Sequence, residues 1–342
     1  MRICILECGG TILMGGHPRT NTYTGEEIFS RVTLPPNMSL AFHKMAGCDD
    51  STNITYPMRA KLADTIAAMY DDFDAFIILH GTDTLAETCA YLTMTWQRLL
   101  QKTVLVVGSQ RTPDHPRSDV PAQLGNALRF IQYAVSQHIA GVYTLCQQRV
   151  LCGARVVKVS SKHLKAFTTP GLRPAAYIGT EVRPTPTARY QHTPLRGAPL
   201  PPAIHLVQRI STYAAKADQP ADAFIHAAQN GLIEGAILLG RGSGNIPSVA
   251  WKDGEPSWYD AIRIVGRLPH PVISAIQTEF AGEDADLTAY APGAMAHKAG
   301  AVSLRNLTPA MADVKFRMAL QMHRNPFAVQ AFIDKPQMNE LG

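Results

Sequence analysis

Four short apolar runs constrain the fold of this chain more than any other feature. RICILE (2–7), AFIILH (75–80), TVLVVG (103–108) and GVYTLC (141–146) are dominated by aliphatic residues and each stops within six positions. Runs of this length and composition read as strands buried in a sheet. Between them, residues 57–71 and 119–136 carry apolar residues at helical spacing, traced by Leu62, Ile66 and Met69 and by Leu124, Leu128 and Ile131. Strands alternating with helices predict an α/β fold, a parallel sheet covered by helices on both faces.

The alternation breaks once. Residues 183–203 (RPTPTARYQHTPLRGAPLPPA) hold six prolines and almost no apolar periodicity, the composition of an extended, semi-rigid linker. Beyond it, IHLVQ (204–208), GAILLG (235–240) and PVISAI (271–276) are again strand-like. A chain of 342 residues, 46% hydrophobic and 17% charged, is long enough for two cores. The expected organisation is a larger N-terminal parallel-sheet domain over 1–184, a proline-rich linker over 185–202 and a smaller C-terminal α/β domain over 203–342.

The net charge of +5 and pI near 8.9 are a mild basic surplus. Its densest run holds Arg149, Arg155, Lys158, Lys162 and Lys165 without interleaved aromatics, which fits a solvated face and not a nucleic-acid site. The six cysteines (Cys4, Cys8, Cys48, Cys89, Cys146 and Cys152) form no CxxC pair, and no HExxH or Cys/His cluster offers metal ligands. Cys4 and Cys89 read as small buried hydrophobes, the usage of a reducing compartment. MRICILECGG runs directly into a strand and a turn, without the apolar segment of a signal peptide. No run approaches the roughly 18 apolar residues of a membrane span. These features predict a cytoplasmic protein with no nucleic-acid or membrane partner.

Polar residues gather where the strands end, and in open α/β sheets ligands bind beyond those carboxyl ends. Three exits stand out: Glu7-Cys8-Gly9-Gly10-Thr11, His80-Gly81-Thr82-Asp83-Thr84 and Gly108-Ser109-Gln110-Arg111. Singly, GGT is a tight turn, and Thr-Asp before a helix is an N-cap. Capping alone requires no convergence of three such exits on one sheet edge. A phosphate site is set aside: there is no GxxxxGK[ST], CGGTILMGG fails GxGxxG, and GRGSGN (240–245) lacks the third glycine. Nucleophilic catalysis fits better. A threonine hydroxyl needs a base beside it, and ARVVKVSS (154–161) offers Lys158 inside an apolar run. Burial would make that lysine a readier base, and an aspartate would hold it in place. Alone, Lys158 reads more readily as an edge-strand charge. His80 reads as a packed strand-end histidine.

On these motifs the sequence resembles the bacterial-type L-asparaginases, a family that also contains glutaminase-asparaginases, and looks closer to its cytoplasmic type I branch. GGTI (9–12) matches the first threonine signature and ILHGTDTLAET (78–88) the second, while DSTNIT (50–55), GSQR (108–111), RSD (117–119) and GSGN (242–245) follow in the family's order. The resemblance covers essentially the whole chain. It implies an amidohydrolase that converts asparagine to aspartate and ammonia with no metal or organic cofactor. By position, Thr11 matches the primary nucleophile, and Tyr23 matches the tyrosine that hydrogen-bonds it from a mobile loop. Thr82, Asp83 and Lys158 match the Thr-Asp-Lys triad. Asp50 and Ser51 match residues that grip the α-amino and α-carboxylate groups, a site to which Thr82 and Asp83 also contribute. Ser109 falls where the family orients the amide, and Asn245 aligns through GSGN. Members build each site between two subunits and pair such dimers, so the resemblance implies a homo-oligomer, a dimer of dimers.

The chain departs from the family at Cys8, where threonine is usual, and at Thr52, where glutamine or serine often follows the binding serine. None of Glu279, Glu283 and Asp284 is a clear match for the acidic residue that some relatives donate from a neighbouring subunit. Other readings stay open: a broader glutaminase-asparaginase, an amino-acid-binding regulator with weak or no catalysis, or the amidase subunit of a tRNA-dependent amidotransferase. The last normally carries an extra N-terminal domain, whereas this chain begins at its first strand. Residues 14–27 (MGGHPRTNTYTGEE), with three glycines and a proline, read as poor material for a fixed element and as a lid.

Overall fold

The four apolar runs become neighbouring strands of one sheet in the computed structural model, which describes residues 1–189, 199–338 and 340–341. Contacts divide the chain into two compact units, residues 1–205 and residues 206–336. The sheet of the first unit has eight strands in the order Val182–Pro184, Ala176–Ile178, Arg149–Cys152, Gly141–Cys146, Thr103–Val107, Ala75–His80, Arg2–Cys8 and Ser39–Lys44. The last five are parallel neighbours; the first three are added antiparallel.

The central strand Ala75–His80 is buried at every position. On one face Ile3, Ile5, Ile77, Leu79, Leu105 and Val107 share a core with Leu124, Leu128 and Ile131 of the helix Val120–Ser136. The alternate residues Cys4, Leu6, Phe76, Ile78, Val104 and Val106 are equally buried, so both faces of the sheet are covered. Each large aliphatic side chain taken fully from water contributes about 1.5–3 kcal/mol. The helix Leu85–Trp96 is buried at all positions but Glu87, which fixes the turn that precedes it.

The second unit holds a four-stranded sheet in the order Ile210–Ala214, Gly235–Gly240, Ile273–Thr278 and Val302–Ser303, parallel throughout. The α/β class with a larger parallel-dominated sheet and a smaller second one is therefore as the alternation predicts.

Three local readings are corrected. Residues 204–208 form no strand; the ladder begins at Ile210. The carbonyls of Val207 and Gln208 are instead taken by Arg317 Nη1 at 2.8 Å each, and the Gln208 side chain donates to the Leu206 carbonyl at 2.6 Å. Within 185–202, Pro186–Arg189 forms a helical turn, since proline suits a first helical position; residues 190–198 lie outside the described residues. Residues 14–27 are more ordered than their composition predicts. Met14–Gly15 pairs antiparallel with Thr20–Asn21, and the helix Gly25–Phe29 starts with a reciprocal capping box between Thr24 and Glu27.

Candidate active site

Strand register brings the exits together. Cys8 pairs with His80, and Leu79 pairs with Val107, so the turns carrying Thr11, Thr82 and Ser109 leave adjacent strands at one edge. Gly10, at φ 86°, packs so tightly that a Cβ there would lie 2.2 Å from the Gly81 Cα. A Cβ on Gly81 would lie 2.5 Å from Ser51 Oγ, and one on Gly108 would lie 2.9 Å from Thr82 Cγ2. Such distances exclude any side chain. A Cβ on Gly9 would likewise lie 2.3 Å from the Cys48 carbonyl oxygen, and one on Gly108 2.9 Å from that of His80, so four closely packed loops bear Thr11, Ser51, Thr82 and Ser109.

Lys158 closes the group from outside the sheet. It lies in the two-residue strand Val157–Lys158, paired antiparallel with Phe167–Thr168. Its Nζ donates to Thr82 Oγ1 at 2.8 Å and to Asp83 Oδ1 at 2.6 Å. Thr82 is buried, the Lys158 side chain is 18% exposed and that of Asp83 is 59% exposed. An amine between a hydroxyl and a carboxylate can take a proton from the first while the second stabilises the resulting ammonium. Thr11, half-buried at the start of a single 3₁₀ turn, makes no side-chain hydrogen bond among the described residues.

Asp50 and Ser51 sit at the head of the short helix Ser51–Asn53. Asp50 Oδ1 accepts from both the backbone N–H and the hydroxyl of Thr52 at 2.9 Å. Thr52, one of the departures from the family, is thus what pins Asp50. Thr84 donates its hydroxyl to the Ser51 carbonyl at 2.6 Å. Ser109 is buried and donates to the Arg111 carbonyl at 2.8 Å, so its hydroxyl is turned into its own loop. That loop is held by Asp119, whose carboxylate accepts from the N–H groups of Gln110 and Arg111 at 3.0 and 2.9 Å.

Tyr23 is half-buried. Its N–H donates to the Leu13 carbonyl at 3.0 Å, and the Arg31 guanidinium lies 4.9 Å from its ring centroid. Its hydroxyl makes no hydrogen bond to Thr11 among the described residues. The hairpin before it is tied to the site by Asn21 Nδ2, which donates to Asp49 Oδ1 at 2.8 Å. Asn245 belongs to the second unit, where it exchanges backbone hydrogen bonds of 2.8 Å with Arg241 across a tight turn. Glu279 pairs with the Arg241 guanidinium.

His80 is fully buried, and burial pushes its pKa down to about 4. One ring nitrogen meets the Gly81 carbonyl at 2.6 Å and the other meets Thr88 Oγ1 at 2.9 Å. It is a packed strand-end histidine, as its position predicts. Sequence reasoning passed over Arg59, Thr84, Thr88 and Asp119. Thr84 and Thr88 lie inside the quoted threonine signature and Asp119 inside RSD, so their signal was present but unassigned.

The profile of one protein family, Asparaginase, N-terminal, matches residues 2–189. L-asparaginase 1 of Escherichia coli (strain K12) is 33% identical over 174 residues, 51% of this chain and 49% of that protein, so the match spans about half of that relative. L-asparaginase 2 of the same strain is 26% identical over 345 residues, covering 97% of this chain and 92% of that one. Among solved structures, the thermostable L-asparaginase from Thermococcus kodakarensis has a TM-score of 0.86 at 24% identity, covering 100% of this chain and 99% of that one.

Proposed function

Because this chain belongs to the asparaginase family, we propose that it hydrolyses the side-chain amide of L-asparagine to L-aspartate and ammonia through a threonine nucleophile. The observation that carries the reading is the Lys158 amine, 2.8 Å from Thr82 Oγ1 and 2.6 Å from Asp83 Oδ1. Thr11 is assigned the first attack. Its Oγ bonds to the amide carbon, and the hydroxyl proton reaches the departing nitrogen through the Thr82–Lys158 pair, releasing ammonia. Water then adds to the acyl carbon, the Oγ–carbon bond breaks, and a water proton returns to the threonine. Backbone N–H groups at the strand-to-helix turns supply oxyanion stabilisation, worth about 2.7–4 kcal/mol per donor.

Asp50 and Ser51, with Asp83, grip the α-amino and α-carboxylate groups. Tyr23 closes over Thr11 with its hairpin, and Ser109 orients the amide once its hydroxyl turns out of its loop. The protein works as a dimer of dimers in which Asn245 completes the partner's site. The six free, buried cysteines support a reducing, cytoplasmic setting. The test is ammonia release by the purified protein, measured against asparagine and glutamine over a range of concentrations. Asparagine is expected to be turned over with the higher kcat/KM; absence of ammonia from both substrates would overturn the reading.

A further inference from the structure

Three polar side chains lie buried behind the site and take no part in the chemistry above. Arg59 is 4% exposed, and Thr88 and His80 are 0% exposed. Arg59 Nε donates to Thr88 Oγ1 at 3.1 Å, and its Nη1 donates to the Ile54 carbonyl at 2.7 Å. The His80 ring bridges Thr88 Oγ1 and the Gly81 carbonyl. A carbonyl can only accept, so Nδ1 carries the ring proton and Nε2 accepts the Thr88 hydroxyl. Every hydrogen then points one way, from Arg59 through Thr88 and His80 to Gly81.

Both ends of the chain of bonds fall on site turns. The Gly81 carbonyl and the Thr82 N–H belong to one rigid peptide plane, so fixing the first fixes the second and the Cα from which the Thr82 hydroxyl hangs. At the other end, the Ile54 N–H donates to the Ser51 carbonyl at 3.1 Å. Burying a guanidinium costs several kcal/mol unless its donors are used; here Nε goes to Thr88, which reaches the Gly81 turn through His80, and Nη1 goes to the carbonyl that ends the Ser51 turn.

We propose that Arg59, Thr88 and His80 are positioning residues, a one-directional buried relay that sets the Thr82 peptide plane and couples it to the Ser51 turn. Its effect on turnover rests on the amide-hydrolysis reading, whereas its geometry does not.

The test compares wild type with Thr88→Val, which keeps the shape and removes the hydroxyl, and with Thr88→Ser, which restores it. Thr88→Val is expected to lower kcat for asparagine about ten- to a hundredfold with KM within about threefold, because the Arg59–Ile54 arm stays intact. Thr88→Ser is expected within about threefold of wild type in both. Long-range ¹H–¹⁵N spectra should show the His80 ring as the neutral Nδ1-protonated tautomer in wild type. A lower Tm with unchanged kcat in Thr88→Val, or an Nε2-protonated His80 in wild type, would overturn the relay. Should Thr88→Val be too unstable to purify, Arg59→Lys, which cannot reach both acceptors, is expected to show a matching kcat loss, and wild-type kcat there overturns the proposal. If wild type releases no ammonia, the functional reading falls, and the ring spectrum alone still decides the relay.

Discussion

Lys158 and Thr82, 76 residues apart in sequence, are joined by a 2.8 Å hydrogen bond between amine and hydroxyl. The lysine comes from a two-residue strand outside the main sheet, whereas the threonine is locked to the main sheet by glycine packing. The pair joins an amine held outside the main sheet to a hydroxyl at the sheet's edge.

Replacing Lys158 by methionine keeps the stem and removes the amine. Turnover of asparagine is expected to fall at least about a hundredfold, while aspartate binding stays within about an order of magnitude. Calorimetric titration with aspartate checks the second half. Loss of binding would reassign Lys158 as a substrate ligand or a structural charge.

Thr11→Val and Thr82→Val each remove a hydroxyl at nearly constant volume, so both variants should fold. Each is expected to lose at least about a hundredfold in kcat. Retention of more than about a tenth of wild-type turnover by either one removes that threonine from the mechanism.

His80 makes stability depend on acidity. Its folded pKa, about 4 through burial, lies below the ordinary 6.5, so the unfolded chain takes up the proton first. Its contribution is intact above about pH 6.5 and drains away as pH falls toward about 4, a total of roughly 3 kcal/mol. Urea unfolding across that interval should show a shallower pH slope in His80→Gln. Equal slopes would assign the effect to other groups.

The hairpin before Tyr23 gives a fourth expectation. Asn21 is its side-chain tie to Asp49, so Asn21→Ala should speed proteolytic cutting within residues 14–24, and aspartate should suppress cutting in wild type. Equal cleavage with and without ligand would rule out closure over the substrate.

Assembly is tested by complementation. Inactive Thr11→Val and Asn245→Ala chains, dissociated and reassociated together, should regain part of wild-type activity, because some mixed dimers carry one intact site. No recovery in confirmed mixed oligomers would remove Asn245 from the partner's site.

The strands Ala75–His80, Gly141–Cys146 and Gly235–Gly240 were legible to the residue because unbroken aliphatic runs leave a buried strand little alternative. Residues 204–208 carried the same signal and misled, since side chains satisfy the carbonyls of Leu206, Val207 and Gln208 where a partner strand would otherwise do so. Lys158 could be singled out as an anomaly in an apolar run, but only the family resemblance tied it to Thr82. Arg59 was invisible: it falls within an ordinary helical period, and its partner Thr88 lies 29 positions on.

The contact of Gly10 with Gly81 has a consequence for how such a site can change. Where two main chains touch, the separation of the hydroxyls they carry is set by the thickness of the polypeptide itself, a dimension common to every sequence. Side chains that shape the substrate end of the crevice can then be exchanged without resetting the catalytic spacing. A single methyl on Gly10, by contrast, would wedge the threonine loops apart, and one on Gly81 would drive against Ser51, while every reactive group stayed in the chain.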